Sequence, residues 1–391
     1  MKIVFWIALF IVFYTYIGYG ILLYIIIRLK RLFVGRPHEA VLPADEELPT
    51  MTLMICAYNE EDIVKEKMAN TLALDYPKDK FRIMWVTDGS NDHTNELLAA
   101  YPEVDIVFSP ERRGKTAALK HGLRELKTRY VAFTDANTMI NTGALREIAR
   151  LFSDPTVGCV SGEKRVAARK AGEMASEGEG LYWRYESTLK RWDSELYSAM
   201  GAAGELYAID PQLCREVPDE ALLDDFMLSM YVVQAGKRIA YTSDAYAREY
   251  GSANIYEESK RKRRIAAGGL QSIWWLRSML NPLRQPLVTF QYVSHRVLRW
   301  SITPVAMVLL LIVNIALVAM GAGTFYTVML ILQTLFYIMA LAGWLTNRFG
   351  YKNKLLYTAY YFVFMNFNVF RGMAYLRSHG KSGAWEKAKR S

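Results

Sequence analysis

The feature that constrains this chain most is the concentration of apolar residues at its two ends. The segment from Ile3 to Ile27 is almost wholly apolar or aromatic, and about 20 such residues suffice to cross a bilayer. Basic residues are concentrated in positions 28–36, and such a flank favours the cytoplasmic side. A signal peptide is the alternative, but the apolar segment is too long and no small-residue cleavage site follows. We expect a retained anchor with its amino terminus outside.

The carboxyl-terminal part holds two further apolar segments, Ile302 to Met320 and Phe325 to Leu345, each long enough to span a bilayer. A third segment, Leu355 to Leu376, contains two asparagines and Arg371 and has basic residues on both sides. We interpret it as an interfacial or re-entrant helix, with a fourth span as the alternative. Residues 256–276 have a basic side and an apolar side, which is typical of a helix lying in the membrane interface.

These segments divide the chain into membrane-associated parts around one large polar domain. The predicted order is an N-terminal transmembrane helix (1–30), a linker (31–50), a cytoplasmic α/β domain (51–251), interfacial helices with a basic cluster (252–300), two transmembrane helices (301–346), an interfacial or fourth transmembrane helix (355–376) and a basic cytoplasmic tail (377–391).

The formal net charge of +9 does not indicate a nucleic-acid partner. Much of the excess lies beside apolar segments, at positions 28–36, 260–264 and 381–390. Basic residues in such places are expected to contact anionic lipid. The charge pattern therefore predicts membrane lipid, and no nucleic acid, as a partner.

In the polar domain, short β-prone apolar segments alternate with helical patterns. The strand-like segments are Met51–Cys56, Arg82–Thr87, Val104–Phe108 and Tyr130–Thr134, and a helix is expected to open within residues 57–61. Alternation of this kind is typical of an α/β fold with a mostly parallel sheet and helices on both faces.

Polar side chains follow these strands where each strand ends. The fourth strand ends in Asp135, and Asn137 comes two positions later, so their oxygens can share one hard divalent cation. A plain Asx turn gives the same pattern. Glu60, Asp88 and the pair Asp224-Asp225 also stand at strand ends or helix starts. Because open α/β sheets bind ligands at this edge, we expect a site for a cation, a nucleotide or a general base.

The order of these motifs resembles the membrane-embedded family 2 glycosyltransferases, which include cellulose, hyaluronan, chitin and poly-N-acetylglucosamine synthases. The resemblance extends over about the whole chain. Its motifs are Cys56-Ala57-Tyr58-Asn59-Glu60-Glu61, Thr87-Asp88-Gly89-Ser90, Gly114-Lys115, Thr134-Asp135-Ala136-Asn137, Gly201 to Ile209, Leu223-Asp224-Asp225 and Arg261-x-x-Arg264.

The resemblance implies a Rossmann-like GT-A domain that transfers a sugar, with inversion, from a nucleotide sugar, most often a UDP-sugar. It implies that Asp225 is the general base for the acceptor hydroxyl and that Asp224 is its neighbour. By the same resemblance, the nucleotide sugar is contacted by Ala57, Tyr58, Asn59, Glu60, Asp88, Lys115 and Asp135. Mg²⁺ or Mn²⁺ is held by Asp135 and Asn137, and the acceptor side is lined by Gly201, Gly204 and Glu205. The diphosphate is paired with Arg261 and Arg264.

Three positions depart from the family pattern. Asn137 stands where many relatives have a second Asp, and Thr87 precedes Asp88 where a pair of Asp residues is usual. Ile265 follows Arg264 where processive synthases have a Trp that stacks on the acceptor sugar. Another aromatic residue, such as Trp183 or Trp192, is the alternative platform.

The main interpretation is an enzyme of the bacterial inner membrane, multi-pass, with a cytoplasmic catalytic domain that extends a β-linked polysaccharide and secretes it. The first alternative is a non-processive transferase that adds one sugar to a lipid-linked acceptor. The second is a catalytically inactive scaffold or export partner with the same fold. A homo-oligomer or accessory export proteins are further expected partners.

Overall fold

The computed structural model describes residues 1–35, 40–167, 174–250, 255–349, 351 and 353–379. Three predicted features lie wholly or mostly outside these residues: Arg36 of the first basic flank, the end of the polar domain near Gly251, and the basic tail. The chain begins with α1 (Lys2–Phe13), a π-helical turn (Tyr14–Gly18) and α2 (Tyr19–Val34). Together they form one continuous helix over Lys2–Val34 that is long and apolar enough to cross a membrane.

The polar domain contains the predicted alternation of strands and helices. All four predicted strands are present. Its elements are β1 (Met51–Ala57), α3 (Val64–Leu72), β2 (Phe81–Asp88), α4 (Thr94–Leu98), β3 (Val104–Ser109), α5 (Lys115–Arg124), β4 (Tyr130–Asp135), β5 (Met139–Ile140), α6 (Ala144–Phe152), β6 (Val157–Ala167), α7 (Met174–Leu196), β7 (Tyr207–Ile209), α8 (Asp224–Gln234) and β8 (Arg238–Tyr250).

The first helix of this domain begins later than the prediction. It starts at Val64, because the residues from 58 to 63 form a loop after β1. Asn59 has a left-handed backbone with φ of 52°, and its amide N–H donates to Ser90 Oγ at 3.1 Å. Asn tolerates this conformation better than most residues. The backbone of this loop is therefore held by the loop after β2 and is not free to continue as a helix.

The strands form one mixed sheet with the order β3-β2-β1-β4-β7-β6-β8-β5. The pairs β1–β2, β1–β4, β2–β3 and β6–β8 are parallel, and β4–β7, β6–β7 and β5–β8 are antiparallel. Cys56 lies opposite Asp135, and Ala57 lies opposite Thr87. The carboxyl ends of β1, β2 and β4 therefore meet at one edge, where the predicted site residues stand.

Both faces of the sheet are buried, as the unbroken apolar strands predict. Leu53, Ile55 and Trp85 belong to a core cluster packed with α3 and α6, whereas Met54 and Val86 belong to a second cluster with α5 and α8. Successive residues of one strand thus enter different cores, as the alternation of side chains in a strand requires. The prediction of helices on both faces is confirmed.

The carboxyl-terminal helices are α9 (Ile255–Trp275), α10 (Pro286–Tyr292), a π-helical segment (Val293–Ile302), α11 (Thr303–Ala319), α12 (Thr324–Arg348) and α13 (Lys354–His379). Residues Pro286–Ala319 are one continuous helix, which begins well before the predicted start at Ile302. Pro286 lies in the first turn, where no intrahelical N–H is needed, and Pro304 directly follows the π-helical segment. Neither proline therefore interrupts the helix.

Three helices of the described part are long and apolar enough to cross a membrane: Lys2–Val34, Pro286–Ala319 and Thr324–Arg348. The helix α13 is not one of them, and its polar residues contact other helices. Arg371 and Asn368 both bond with Ser259 of α9. Tyr16 of the π-helical turn donates to Asn366 Oδ1 at 2.5 Å. The polar residues of this segment therefore have a structural explanation that the sequence did not offer.

Candidate active site

The predicted site residues converge on a cavity of about 450 Å³. It opens at the carboxyl edge of the sheet and continues between α7, α9, the π-helical segment and α13. Predicted residues that line it are Lys115, Asp135, Gly204, Glu205, Asp224, Asp225, Arg261 and Arg264. A cavity of this size suits a small polar ligand or part of a larger one.

One ammonium group lies among the carboxylates at the mouth of this cavity. Lys115, the first residue of α5, places Nζ 2.7 Å from Asp135 Oδ1 and 4.0 Å from Asp224 Oδ2. Burial alone would lower the pKa of Lys115, but Asp135 and Asp224 outweigh it and raise that pKa above its ordinary value. This lysine therefore stays charged and available to a phosphate.

The same place provides hard oxygen ligands. Asp135 and Asn137 lie at the end of β4 and in the turn after it, and the buried Oδ2 of Asp224 accepts no hydrogen bond within the described residues. The part of the chain that the structure describes has no group of three or more His, Cys, Asp or Glu arranged around a metal. Mg²⁺ is commonly bound through one or two carboxylates plus substrate phosphates. The donor set fits such a cation if the diphosphate completes its coordination.

Asp225 has the environment of a general base. It is the second residue of α8, and its Oδ1 accepts the Phe226 amide N–H at 2.8 Å. Burial, followed by repulsion from Asp224, raises the pKa of Asp225 to about 6. A carboxylate with this pKa is ionised at neutral pH and more basic than an ordinary aspartate, which suits proton abstraction.

Two glycines allow the chain to approach this base closely. A Cβ at Gly204 would lie 2.8 Å from Asp225 Oδ2, and one at Gly201 would lie 2.3 Å from the Phe226 ring. Gly201 also has a φ of 94°, which disfavours other residues. The structure thus places Gly204 in the cavity wall and Gly201 behind it, against the residue that follows the base.

The residues predicted for the nucleotide lie beside the cavity, at the ends of β1 and β2. Both carboxylate oxygens of buried Asp88 accept the backbone N–H of Arg113, at 3.0 and 3.1 Å, and Oδ2 accepts that of Gly114 at 2.6 Å. The Arg112 guanidinium stacks over the Tyr58 ring at 4.0 Å. Asp88 therefore fixes the loop before Lys115. Ala57, Tyr58, Asn59 and Glu60 form the neighbouring loop.

The basic motif of α9 approaches the cavity from the opposite side. Arg261 lies 3.4 Å from Glu205, whose carboxylate also contacts Lys164 Nζ at 2.6 Å. These two cations outweigh burial and hold the pKa of Glu205 well below its usual range. Glu205 thus joins the loop after α7 to α9. Arg264 lines the cavity, and its buried Nε has no hydrogen-bond partner among the described residues.

Of the two aromatic residues considered as replacements for the missing stacking platform, one lies in the cavity. Trp183 lines it, whereas Trp192 packs against Tyr24 with ring centroids 5.5 Å apart. Trp300, which was not predicted, also lines the cavity.

Comparison with known proteins agrees with this geometry. Residues 52–209 match the family model Glycosyl transferase family 2, so this part of the chain carries a family 2 glycosyltransferase domain. The match covers β1 to β7, which includes the edge of the sheet described above.

Two curated relatives illustrate the range of this class. The chain is 35% identical over 125 residues to the poly-beta-1,6-N-acetyl-D-glucosamine synthase of Staphylococcus aureus, which is 31% of this chain and 30% of that protein. It is 25% identical over 259 residues to the beta-monoglucosyldiacylglycerol synthase of Synechocystis sp., covering 62% of this chain and 53% of that protein. The chain thus spans about a third to a half of the length of these relatives.

One solved structure resembles almost the whole chain. It is the mannosyltransferase PcManGT from Pyrobaculum calidifontis in complex with GDP-Man and Mn²⁺, with a TM-score of 0.68 and 21% identity. The similarity covers 95% of this chain and 98% of that chain. At this identity it establishes the fold, a GT-A-type domain with its associated apolar helices.

Proposed function

We propose that this protein transfers a sugar from a nucleotide-sugar donor, with inversion, to an acceptor held at the membrane. The single observation that carries the proposal is the position of Asp225, in one cavity with Lys115 and Asp135 at one end and membrane-associated helices at the other. The cavity brings a general base, a diphosphate site and a route to the membrane together.

Asp135 and Asn137 would hold Mg²⁺ or Mn²⁺, and such a cation would supply positive charge beside the diphosphate leaving group. Lys115, Arg261 and Arg264 add cationic hydrogen-bond donors around the same phosphates. The resemblance to the family supplies the nucleotide site, formed by Ala57, Tyr58, Asn59, Glu60 and Asp88.

Asp225 accepts the proton of the acceptor hydroxyl as that oxygen attacks the anomeric carbon. The bond between the anomeric carbon and the phosphate oxygen breaks, and the nucleoside diphosphate departs with the electron pair. A single displacement of this kind inverts the anomeric centre. This displacement needs one base and no carboxylate nucleophile, which agrees with the position of Asp225 in the cavity. Asp224 is then the neighbour of the base.

For the acceptor we propose a lipid-borne hydroxyl, with extension of a β-linked polysaccharide as the second candidate. Ile265 lines the cavity and offers no stacking platform, while Phe362, Met365 and Val369 of α13 form an apolar wall. The relative from Synechocystis sp. is named for a lipid product. The polysaccharide candidate is supported by Trp183 and Trp300 in the same cavity and by the synthase from S. aureus.

We also propose that the protein crosses the bacterial inner membrane several times, with the catalytic domain in the cytoplasm. The three apolar helices and the basic residues beside them support this arrangement.

The test is a transfer assay with the purified full-length protein in detergent. Radiolabelled UDP- and GDP-sugars are supplied with Mg²⁺ or Mn²⁺, with and without membrane lipid, and the products are analysed by mass. We expect a metal-dependent single-sugar lipid adduct that Asp225→Asn abolishes. A high-molecular-mass polymer would instead support the polysaccharide candidate. Absence of turnover with every donor, in water and in lipid, would refute both.

A further inference from the structure

Lys190 of α7 is a buried cation with no assigned role. Its side chain lines the cavity, yet the residue is only 5% exposed. Among the described residues it makes no hydrogen bond and no ion pair. Burial, followed by repulsion from Arg296, lowers the pKa of Lys190 to about 8, so the amine is still mostly protonated at neutral pH. An ammonium group in this position is stabilised when an anion occupies the cavity.

The carboxylates near Lys190 are already engaged by other groups. Glu186 accepts Arg296 Nη1 at 2.7 Å on Oε1, and on Oε2 it accepts Arg299 Nη1 at 2.8 Å. His295 also lies 3.2 Å from the same Oε2. Burial would raise the pKa of Glu186, but Arg296 and His295 hold it well below its usual range. The oxygens of Glu186 are therefore engaged by Arg296, Arg299 and His295, and Glu186 acts on Lys190 only through its charge, without a direct ion pair.

The second buried acid of this region is likewise satisfied. Asp193 accepts from Tyr19 of α2 and from Gln291 Nε2 at 3.0 Å, and its Oδ2 lies 2.5 Å from His295 Nδ1. Lys190, Arg296 and Arg299 thus lie beside Glu186 and Asp193, and the charges of Glu205 and Asp225 also act on Lys190 without a direct ion pair. We call Lys190, Arg296 and Arg299 the cationic wall of the cavity.

The cationic wall lies on the acceptor side of the base. Phe226, which follows Asp225, contacts Trp300 edge-to-face with centroids 5.0 Å apart, and Arg296 lies over the same Trp300 ring at 5.5 Å. Lys190 is close enough to Asp225 for the charge of that carboxylate to act on its pKa. The apolar residues of α13 line the same cavity. An anion, a reacting hydroxyl and a lipid chain can therefore be held in one space.

We propose that the cationic wall binds the phosphate of the acceptor, and that the acceptor is a phospholipid whose head group carries a free hydroxyl. The inference rests on the proposed function and names its substrate class. The phosphate contacts Lys190, the head-group hydroxyl points to Asp225, and the chains lie along α13. The transfer step is unchanged: the hydroxyl oxygen bonds to the anomeric carbon, its proton goes to Asp225, and the nucleoside diphosphate leaves.

The experiment compares two acceptors that differ in the phosphate. Full-length protein in a neutral detergent receives a nucleotide-sugar donor that it turns over, with either phosphatidylglycerol or diacylglycerol of the same chain length. We expect kcat/KM to be at least tenfold higher with phosphatidylglycerol. In Lys190→Met the KM for phosphatidylglycerol is expected to rise tenfold or more while the KM for the donor stays the same. Lys190→Arg, which keeps the charge, should restore most of the affinity.

Lys65→Met is the matched control, because Lys65 is an exposed lysine of α3, away from the cavity. The KM of this variant for phosphatidylglycerol should equal that of the native chain.

Thermal unfolding distinguishes an effect of Lys190 on binding from an effect on folding. Lys190→Met should unfold at the same or a higher temperature than the native chain, because it removes a buried charge and conserves volume. Unfolding at a lower temperature together with a raised KM for the donor would make Lys190 structural and overturn the proposal.

Inorganic phosphate distinguishes a lipid head group from a free anion. Competition by phosphate against phosphatidylglycerol, with little effect on diacylglycerol, supports the proposal. If phosphate inhibits transfer to both lipids equally, and Lys190→Met removes that inhibition without changing lipid preference, the site takes free phosphate and the proposal is wrong. Turnover with equal preference for the two lipids overturns this inference alone. Absence of any donor turnover, even to water, instead refutes the proposed function.

Discussion

Replacing Asp225 with asparagine should decrease activity and increase stability at neutral pH. The isosteric amide cannot accept a proton, and a positioned general base contributes about 10²- to 10⁴-fold to a rate, so kcat should fall by that factor. The amide also removes the cost of ionising a carboxyl group whose pKa is raised from 3.8 to about 6 by burial and then by repulsion from Asp224. That change in pKa corresponds to at most about 3 kcal/mol of differential free energy.

The size of the stability effect depends on pH. Because the folded-state pKa of Asp225 lies above its ordinary value of 3.8, the folded protein binds this proton more tightly than the unfolded chain. The ionised Asp225 carboxylate therefore lowers the free energy of unfolding by its full amount above about pH 6 and not at all below about pH 4. The unfolding temperature of Asp225→Asn should therefore exceed that of the native chain at pH 7 to 8, and the difference should vanish towards pH 4.

Activity of the native chain should follow the same titration. About nine-tenths of Asp225 is ionised at pH 7 and about one-tenth at pH 5, so kcat/KM should fall close to tenfold between these values. The assay is release of nucleoside diphosphate at saturating metal, with differential scanning fluorimetry for stability. Asp219→Asn is the control, because Asp219 is exposed and pairs with Lys120. Retention of more than a tenth of the native kcat at pH 7 in Asp225→Asn would refute the assignment of the base.

Three further predictions concern the neighbours of this base. Gly204→Ala should lower kcat by about 10- to 100-fold with little change in the KM for the donor, because the alanine Cβ would lie 2.8 Å from Asp225 Oδ2. Steady-state kinetics with both substrates varied would measure this loss. An unchanged kcat would contradict the prediction. Chelation by EDTA should abolish transfer, and added Mn²⁺ should restore it. Asn137→Asp should lower the metal concentration that gives half the maximal rate, because a carboxylate binds a divalent cation more strongly than an amide does. A transfer rate that does not depend on metal would exclude this site. Lys67 is fully buried and donates to Thr138 O at 2.5 Å, in the turn that contains Asn137, and burial lowers the pKa of Lys67 from 10.5 to about 7. Between pH 7 and pH 10.5 the unfolded chain therefore binds a proton at Lys67 that the folded protein does not bind. The unfolding temperature of the native chain should rise from pH 7 to pH 9 relative to that of Lys67→Met. Parallel dependences of the two unfolding temperatures on pH would contradict the lowered pKa.

Local sequence patterns predicted the strands and the carboxylates that follow them. Consecutive apolar residues, such as Leu53, Met54 and Ile55, predict a strand buried on both faces without reference to the rest of the chain. The rule that parallel strands end at one edge then brings Asp135 to the site. The family motifs placed Lys115 and Asp225 by their order alone.

The sequence did not predict groups whose partners are distant in the chain. Lys190 lies on a helix whose sequence gives no sign of which side chains face the cavity. Its lack of a partner depends on Glu186, which is engaged by Arg296 and Arg299 more than 100 residues later. The continuous helix from Pro286 was missed because proline reads as a break unless its place in a helix is known.

What the sequence alone determined is therefore the set of short-range features: three apolar helices, the strands and their terminal acids, and the motifs of a family 2 glycosyltransferase. These depend on residues a few positions apart. Only the tertiary structure decided that α9, α13 and the π-helical segment close around the same cavity as Asp225, and that Lys190 makes no hydrogen bond and no ion pair within the described residues. Such features depend on which side chains meet across long loops, because ionic partners and cavity walls are properties of packing and not of local sequence.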